Sequence, residues 1–251
     1  MKCIILAAGY ATRLYPLTEN MPKSLLQIGD KTMIDHILGA INKVKEINKI
    51  YLVTNSRFAS QFEDWAKAAQ TDKEIIVYDD GTSDNATRLG AIGDLQLVID
   101  KAGIDDDTLV LAGDNLFTFS LNDMTSYFYE KKANVITVRV IEELEEQRRM
   151  GIVLTDSEMK VLDFEEKPQN PKSNLASPAL YLYQKKDIPL IKQYLADGNN
   201  PDAPGHLVPY MATHSTVYAF KFDGIWFDIG THKSLEEVNE GIKNGDISFE
   251  N

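Results

Sequence analysis

The chain has 251 residues, 43% hydrophobic and 25% charged, a balance that suits one large α/β domain or two small ones. Its formal net charge of −12 argues against nucleic-acid and anionic-membrane partners, which demand clustered Lys and Arg, and no apolar run approaches the ~20 residues that span a bilayer. The lone Cys3 rules out an internal disulfide, and with no signal peptide in view the chain reads as cytoplasmic. No linker, low-complexity stretch or internal repeat interrupts it, so a single domain over 1–251 is expected.

Residues 2–7 (KCIILA) read as a buried first strand ending in a loop that contains Gly9. Thr32 and Asp35 are spaced as a capping box for a helix that runs to about Lys45. A strand at 50–54, a helix at 58–69, a strand at 74–78, a helix at 87–101 and an apolar strand at 108–112 follow. This alternation predicts right-handed crossovers and a Rossmann-like, mixed but mostly parallel sheet flanked by helices. After residue 133 the pattern changes: 134–140, 151–155, 160–164 and 179–183 are strand-like, which predicts a small antiparallel or mixed extension carrying part of a substrate pocket. Helices at 187–196 and 206–213, a strand at 217–220, the segment 224–231 and a helix from Ser234 complete the chain. The expected parts of that domain are 1–133, 134–231 and a C-terminal helix at 232–251.

Ligands of open α/β sheets sit beyond the carboxyl ends of the strands. There the chain places a loop of small residues with Arg13, then Gly113, Asp114 and Asn115, then Asp228 after the apolar stretch 225–227. Small loop residues expose N–H groups to phosphate oxygens; Arg13 and Lys23 supply cations; two carboxylates suit Mg²⁺, which takes its remaining ligands from water and phosphate. Singly, each feature is a common turn; jointly they describe phosphate chemistry.

The residues LAAGYATRLYPLTENMPKSLLQI (6–28), GDN (113–115), EEKP (165–168), PKSN (171–174) and WFDIGT (226–231) resemble, in order and spacing, the motifs of sugar-phosphate nucleotidylyltransferases of the glucose-1-phosphate thymidylyltransferase type. The resemblance implies transfer of a nucleotidyl group from a nucleoside triphosphate to a sugar 1-phosphate with release of pyrophosphate, a Mg²⁺-dependent reaction of EC 2.7.7 type. It implies that Arg13 and Lys23 act on the triphosphate and that Asp114 and Asp228 hold the metal. Leu6, Ala8, Gly9, Tyr10, Ala11, Thr12 and Gly113 would bind the nucleotide. Asn115, Gly151, Glu166, Lys167 and Trp226 would bind the sugar phosphate, so the resemblance makes 1–133 the nucleotide-binding part and 134–231, with its small antiparallel extension, the sugar-phosphate-binding part. Asn85, Thr87 and Arg88 lie where the base is read in relatives; the same residues could instead cap the following helix.

Three departures stand out. Ala11 replaces the loop's second glycine, which costs about 1–2 kcal/mol if the position needs φ > 0. DDGTSDNATRLGAIGDL (79–95) replaces the usual base-reading segment, and SPALY (177–181) replaces a T-G-x-Y pattern. No hexapeptide repeat follows the last helix and the C-terminal helices are short, so a homodimer or a monomer is expected. Rival readings are a cytidylyltransferase for an alcohol phosphate such as phosphocholine, with an aromatic cage drawn from Tyr127, Phe128, Tyr129, Tyr181 and Tyr183. A glycosyltransferase using Asp105–Asp107, and a non-catalytic nucleotide-sugar sensor, are the others. His36, His206, His214 and His232 lack metal-ligand spacing, and Cys3 reads as a core residue.

Overall fold

A computed structural model describes residues 1–249. In chain order the first elements are β1 (Lys2–Leu6), β2 (Gln27–Ile28), β3 (Lys31–Thr32), α1 (Met33–Asn42), β4 (Lys49–Thr54), α2 (Ala59–Ala68) and β5 (Glu74–Asp79). Then come α3 (Ala91–Ala102), β6 (Thr108–Ala112), β7 (Asn115–Phe117), α4 (Leu121–Lys131), β8 (Asn134–Val140) and α5 (Leu144–Gln147). The remainder are β9 (Gly151–Thr155), β10 (Val161–Glu166), β11 (Leu175–Ser177), β12 (Leu180–Tyr183), α6 (Pro189–Ala196), α7 (Leu207–His214), β13 (Val217–Lys221), β14 (Trp226–Asp228) and α8 (His232–Asn244). The fold is α/β, with mixed sheets flanked by helices and small antiparallel ribbons. No helix among the described residues is long and apolar enough to cross a membrane.

The described residues form two compact units, one from 1–88, 111–121 and 224–249, the other from 89–110 and 122–223. In the first, β1, β4 and β5 pair in parallel, with Ile4 opposite Tyr51 and Leu52 opposite Val77. Chain leaving β6 lies against β1, where the Gly113 N–H donates to the Leu6 carbonyl at 2.9 Å. β7 and β14 form an antiparallel ribbon, and β2 pairs with β3. The expected box at the start of α1 is present: Thr32 Oγ1 accepts from the Asp35 N–H while the Asp35 carboxylate accepts from the Thr32 N–H. Met33, Ile34, Ile37, Leu38 and Ile41 make its buried face, each such side chain stabilising by roughly 1.5–3 kcal/mol.

The second unit carries an antiparallel series, β10–β9–β11–β8–β12, with β13 parallel to β8. It is the antiparallel extension expected after residue 133. Asn134, buried in β8, donates to Asp187 Oδ2 at 2.8 Å and accepts the Gln184 N–H, and Ser215 donates to the same carboxylate at 2.7 Å. Within this knot the side chains of Asn134 and Asp187 are both hydrogen-bonded, as burial requires.

Several boundaries differ from expectation. α3 begins at Ala91 rather than Thr87, because its first N–H groups are taken by backbone: Ala91 N–H by Asp202 C=O at 3.0 Å and Ile92 N–H by Pro201 C=O at 2.9 Å. The approach is so close that a Cβ at Gly90 would stand 2.5 Å from the Pro201 oxygen. α4 and the short strands β7 and β11 were not anticipated. α8 starts at His232, with Ser234 at its third position in a box with Thr231.

Candidate active site

The loop after β1 is held from beneath by side chains of its own unit. Asn55, buried at the end of β4, donates from Nδ2 to the Ala8 carbonyl at 2.9 Å, and Thr54 Oγ1 to the Ala7 carbonyl at 3.2 Å. Thr18 Oγ1 donates to the Ala11 carbonyl at 2.8 Å. The buried Tyr10 hydroxyl lies 3.1 Å from Thr82 Oγ1, tethering the loop to the segment after β5. Ala11 sits at φ 47°, ψ 40°, the left-handed region a glycine would occupy freely. Thr12–Leu14 then turn as a 3-10 helix that leaves Gly9 and Arg13 exposed.

Two carboxylates arrive at this loop from distant sequence. Gly113 admits a tight crossing: a Cβ there would lie 2.9 Å from Ser24 Oγ and 3.2 Å from the Leu6 oxygen. The β7–β14 ribbon pairs Asn115 with Asp228, which sets Asp228 beside Asp114; Ile229 N–H donates to the Asp114 carbonyl at 3.3 Å. Lys23 Nζ lies 2.7 Å from Asp114 Oδ2 and 3.6 Å from Asp228 Oδ1. The Arg13 guanidinium lies close to Gly230, where a Cβ would be 3.5 Å from Nη2.

Electrostatics differ sharply within the pair. Desolvation pushes the Asp114 carboxyl up, but the Lys23 charge and the hydrogen bonds from Lys23 and Asn115 outweigh it and hold it below the usual carboxylate range. Asp228 is raised, first by desolvation and then by neighbouring Asp114, against the pull of Lys23 and Arg13. Asn115 links the pair to an aromatic: its Nδ2 donates to Asp114 Oδ1 at 2.7 Å, and its Oδ1 accepts from Trp226 Nε1–H at 2.8 Å. The Trp226–Asn115–Asp114 chain orients a carboxylate from behind.

The donor set fits a hard divalent cation. One ammonium already lies within 4 Å of both carboxylates, so a single cation can meet both. Both ligands are oxygen, and no group of three or more His, Cys, Asp or Glu converges among the described residues. Two protein carboxylates would suit Mg²⁺, which draws its remaining ligands from water and phosphate, better than zinc.

Asn85, Thr87 and Arg88 are exposed and folded into a local turn. Asp84 Oδ1 accepts the N–H groups of Ala86 at 2.8 Å and Thr87 at 3.0 Å, and Arg88 Nη1 donates to the Asn85 carbonyl at 3.1 Å. The capping alternative falls, since α3 starts after Gly90 with no side-chain cap.

In the second unit, Gly151 opens β9 directly opposite Glu166 at the end of β10. Lys167 has φ 50°, held there by its N–H donating to the Met150 carbonyl at 2.9 Å, and its Nζ lies 3.3 Å from Glu166 Oε1. A non-glycine residue in this region costs of order 1–3 kcal/mol and persists where surroundings enforce it, often at binding sites. An open cavity of about 670 Å³ is lined by Glu166, Gln169, Asn170, Lys172 and His206 among others. Lys172 is committed elsewhere, to Asp163 at 2.8 Å and Glu165 at 2.6 Å.

A family profile described as "Nucleotidyl transferase" matches residues 2–245. The chain belongs to the nucleotidyl transferase family. It is 28% identical over 244 residues to the bifunctional protein GlmU of Methanocaldococcus jannaschii, covering 96% of this chain and 54% of that protein. It is 29% identical over 256 residues to glucose-1-phosphate adenylyltransferase of Thermosipho africanus, covering 94% of this chain and 60% of the relative. The chain thus spans little more than half the length of these curated relatives. Among solved structures, it superposes on a protein assigned as a glucose-1-phosphate thymidylyltransferase of Bacillus anthracis, in complex with a sucrose. The TM-score is 0.78 at 26% identity, over 99% of this chain and 96% of that one. A UDP-glucose pyrophosphorylase complexed with UDP-glucose shares the fold, with a TM-score of 0.79 at 20% identity over 97% of this chain and 98% of that one.

Within this nucleotidyl transferase, sequence reasoning overlooked Thr18, Asn55 and Thr82 as supports of the loop. Asn55 follows a strand end and was open to the same rule that singled out Asp114; Thr18 and Thr82 carry no local signal. The DxD string is structural: Asp105 Oδ2 pairs with Lys185 Nζ at 2.8 Å, and Asp107 Oδ1 accepts the Lys185 N–H at 2.8 Å. His232 lies 2.9 Å from the Tyr15 carbonyl and His36 2.8 Å from the Ile28 carbonyl, both bonding backbone.

Proposed function

We propose that this chain transfers a nucleotidyl group from a nucleoside triphosphate to a sugar 1-phosphate, releasing pyrophosphate. The reading rests chiefly on one observation, the convergence of Asp114, Asp228 and Lys23 beside the loop that carries Arg13. Family membership and the sugar-1-phosphate chemistry named for relatives support it.

The attacking group, a phosphate monoester with a second pKa near 6, is largely dianionic at neutral pH, so the reaction needs no general base. What remains is to hold two polyanions together and offset charge as it builds on the α-phosphate. Arg13, exposed on its 3-10 turn, suits a bidentate grip on phosphate oxygens. Lys23 supplies a point charge and holds the two carboxylates at a fixed separation. Asp114 and Asp228 would hold Mg²⁺, which when bound supplies charge neutralisation to the phosphates. The loop N–H groups, steadied by Asn55 and Thr18, would cradle the triphosphate. Glu166 would accept from a sugar hydroxyl and Lys167 would meet the sugar's phosphate. In this reading Asn85, Thr87 and Arg88 face the base.

A choline phosphate lacks a comparable observation. Tyr181, Tyr183 and Phe128 are each at most 2% exposed and cannot line a cage for a soluble cation. The deciding measurement is pyrophosphate release from five nucleoside triphosphates against a panel of sugar 1-phosphates and phosphocholine, with and without Mg²⁺. Release with a sugar phosphate only, dependent on Mg²⁺, is expected. Release with phosphocholine alone, or none in any combination, would overturn the reading.

A further inference from the structure

Two glycines of the second unit close on one carboxylate from different directions. A Cβ built at Gly151 would lie 2.4 Å from Phe164 Cζ and 3.2 Å from Glu166 Oε2; one built at Gly205 would lie 2.6 Å from Phe164 Cζ and 3.0 Å from Glu166 Oε2. Gly151 reaches this position through the β9–β10 register, which sets it opposite Glu166. Gly205 comes from far along the chain, in the 3-10 turn Pro204–His206. Both glycines are buried and neither has a positive φ, so backbone freedom does not explain them. What they share is the absence of a side chain where the Phe164 ring and the Glu166 carboxylate must fit. Phe164, 6% exposed, fills the space between and cannot retreat without disturbing its own packing.

We propose that Gly205 is a positioning residue that fixes where the Glu166 carboxylate stands, and so sets selectivity for the sugar-phosphate substrate. The inference rests on the reading above that Glu166 meets the sugar. Gly151 bounds the carboxylate from the strand side, and Gly205 bounds it from the turn. His206, the next residue, lines the same cavity as Glu166, so the turn that delivers the close contact also delivers a wall of the pocket. A single methyl at 205 must displace the ring, the carboxylate or the turn.

Gly205→Ala tests this with two readouts. The first is the side-chain carboxyl ¹³C resonance of Glu166, assigned by its loss in Glu166→Gln; it requires no turnover, and a clear shift in Gly205→Ala is expected. The second is kinetic: KM for the sugar phosphate should rise about tenfold or more, while KM for the triphosphate stays within about twofold, since displacement by around 1 Å is costly only to the group displaced. Gly205→Ala/Phe164→Leu, compared with Phe164→Leu alone, restores space for the ring and keeps the test alive if the single variant fails to fold; partial recovery of both readouts is expected. An unmoved Glu166 resonance overturns the proposal, as does an equal rise in both KM values. Failure of the wild-type chain to release pyrophosphate would instead sink the functional reading, and the resonance would still decide the role of Gly205.

Discussion

Single residues set the chemistry of the first unit. Asp114→Asn and Asp228→Asn should each lower turnover by about 10²-fold or more with little change in melting temperature, because the loss falls on charge stabilisation rather than packing. Near-normal activity in either would remove it from the proposed metal pair. Asn115→Ala tests the chain behind Asp114: it strips one donor from the carboxylate and leaves the Trp226 N–H without its 2.8 Å acceptor. A loss of about 10–100-fold in Mg²⁺ affinity is expected from removing such an outer partner, and unchanged Mg²⁺ dependence would refute that role. Cys3 is the opposite case. It is fully buried in β1, and burial pushes its thiol far above the usual range. Folded protein should resist thiol reagents at pH 8 and react only on unfolding; rapid labelling under native conditions would contradict this placement.

At the scale of elements, the β7–β14 ribbon governs the separation of the two carboxylates. It is closed by Thr118, whose Oγ1 accepts the Ile225 N–H at 2.9 Å while its own N–H donates to the Ile225 carbonyl at 3.0 Å. Thr118→Val keeps the shape but orphans that N–H, at a cost of about 1–3 kcal/mol. Melting temperature and turnover should fall together, and a variant with unchanged turnover would show that the ribbon does not set the site. Strand β7 was not legible beforehand, because a run that short has no periodicity to read, whereas the apolar stretch 225–227 had marked the approach to Asp228. The long apolar strands β1, β4 and β6 were legible, as was the box at Thr32, since their signals are local. The start of α3 was not: it depends on carbonyls at 201 and 202, more than a hundred residues away. The strain at Ala11 was legible because the missing glycine marked it. The supports from Thr18 and Thr82 were hidden, since hydroxyls that brace a loop look like any other surface Thr until the fold brings them there.

For the molecule as a whole, a net charge of −12 sets a long-range field opposed to the two anionic substrates proposed above. The local cations Arg13 and Lys23 act over a few ångströms, and Lys23 is largely compensated by its two carboxylates. Raising salt from about 0.01 to 0.1 M shortens the screening length from about 30 to 10 Å, which weakens the global repulsion more than the contacts. The expected result is a kcat/KM for the triphosphate that rises modestly over this interval. A steep fall would show that local focusing dominates.

The first unit is also discontinuous in sequence: the stretch that carries Asp228 is encoded after the whole of 122–223. During synthesis at about 5–20 residues per second, a nascent chain exposes Asp114 on the order of ten seconds before its partner carboxylate exists. Until then Lys23 has one acid to answer rather than two, and the β7 segment has no strand to pair with. The ribosome therefore completes the second unit before residues 224–231 emerge, and the cluster of Asp114, Asp228 and Lys23 can be assembled only when that stretch has followed.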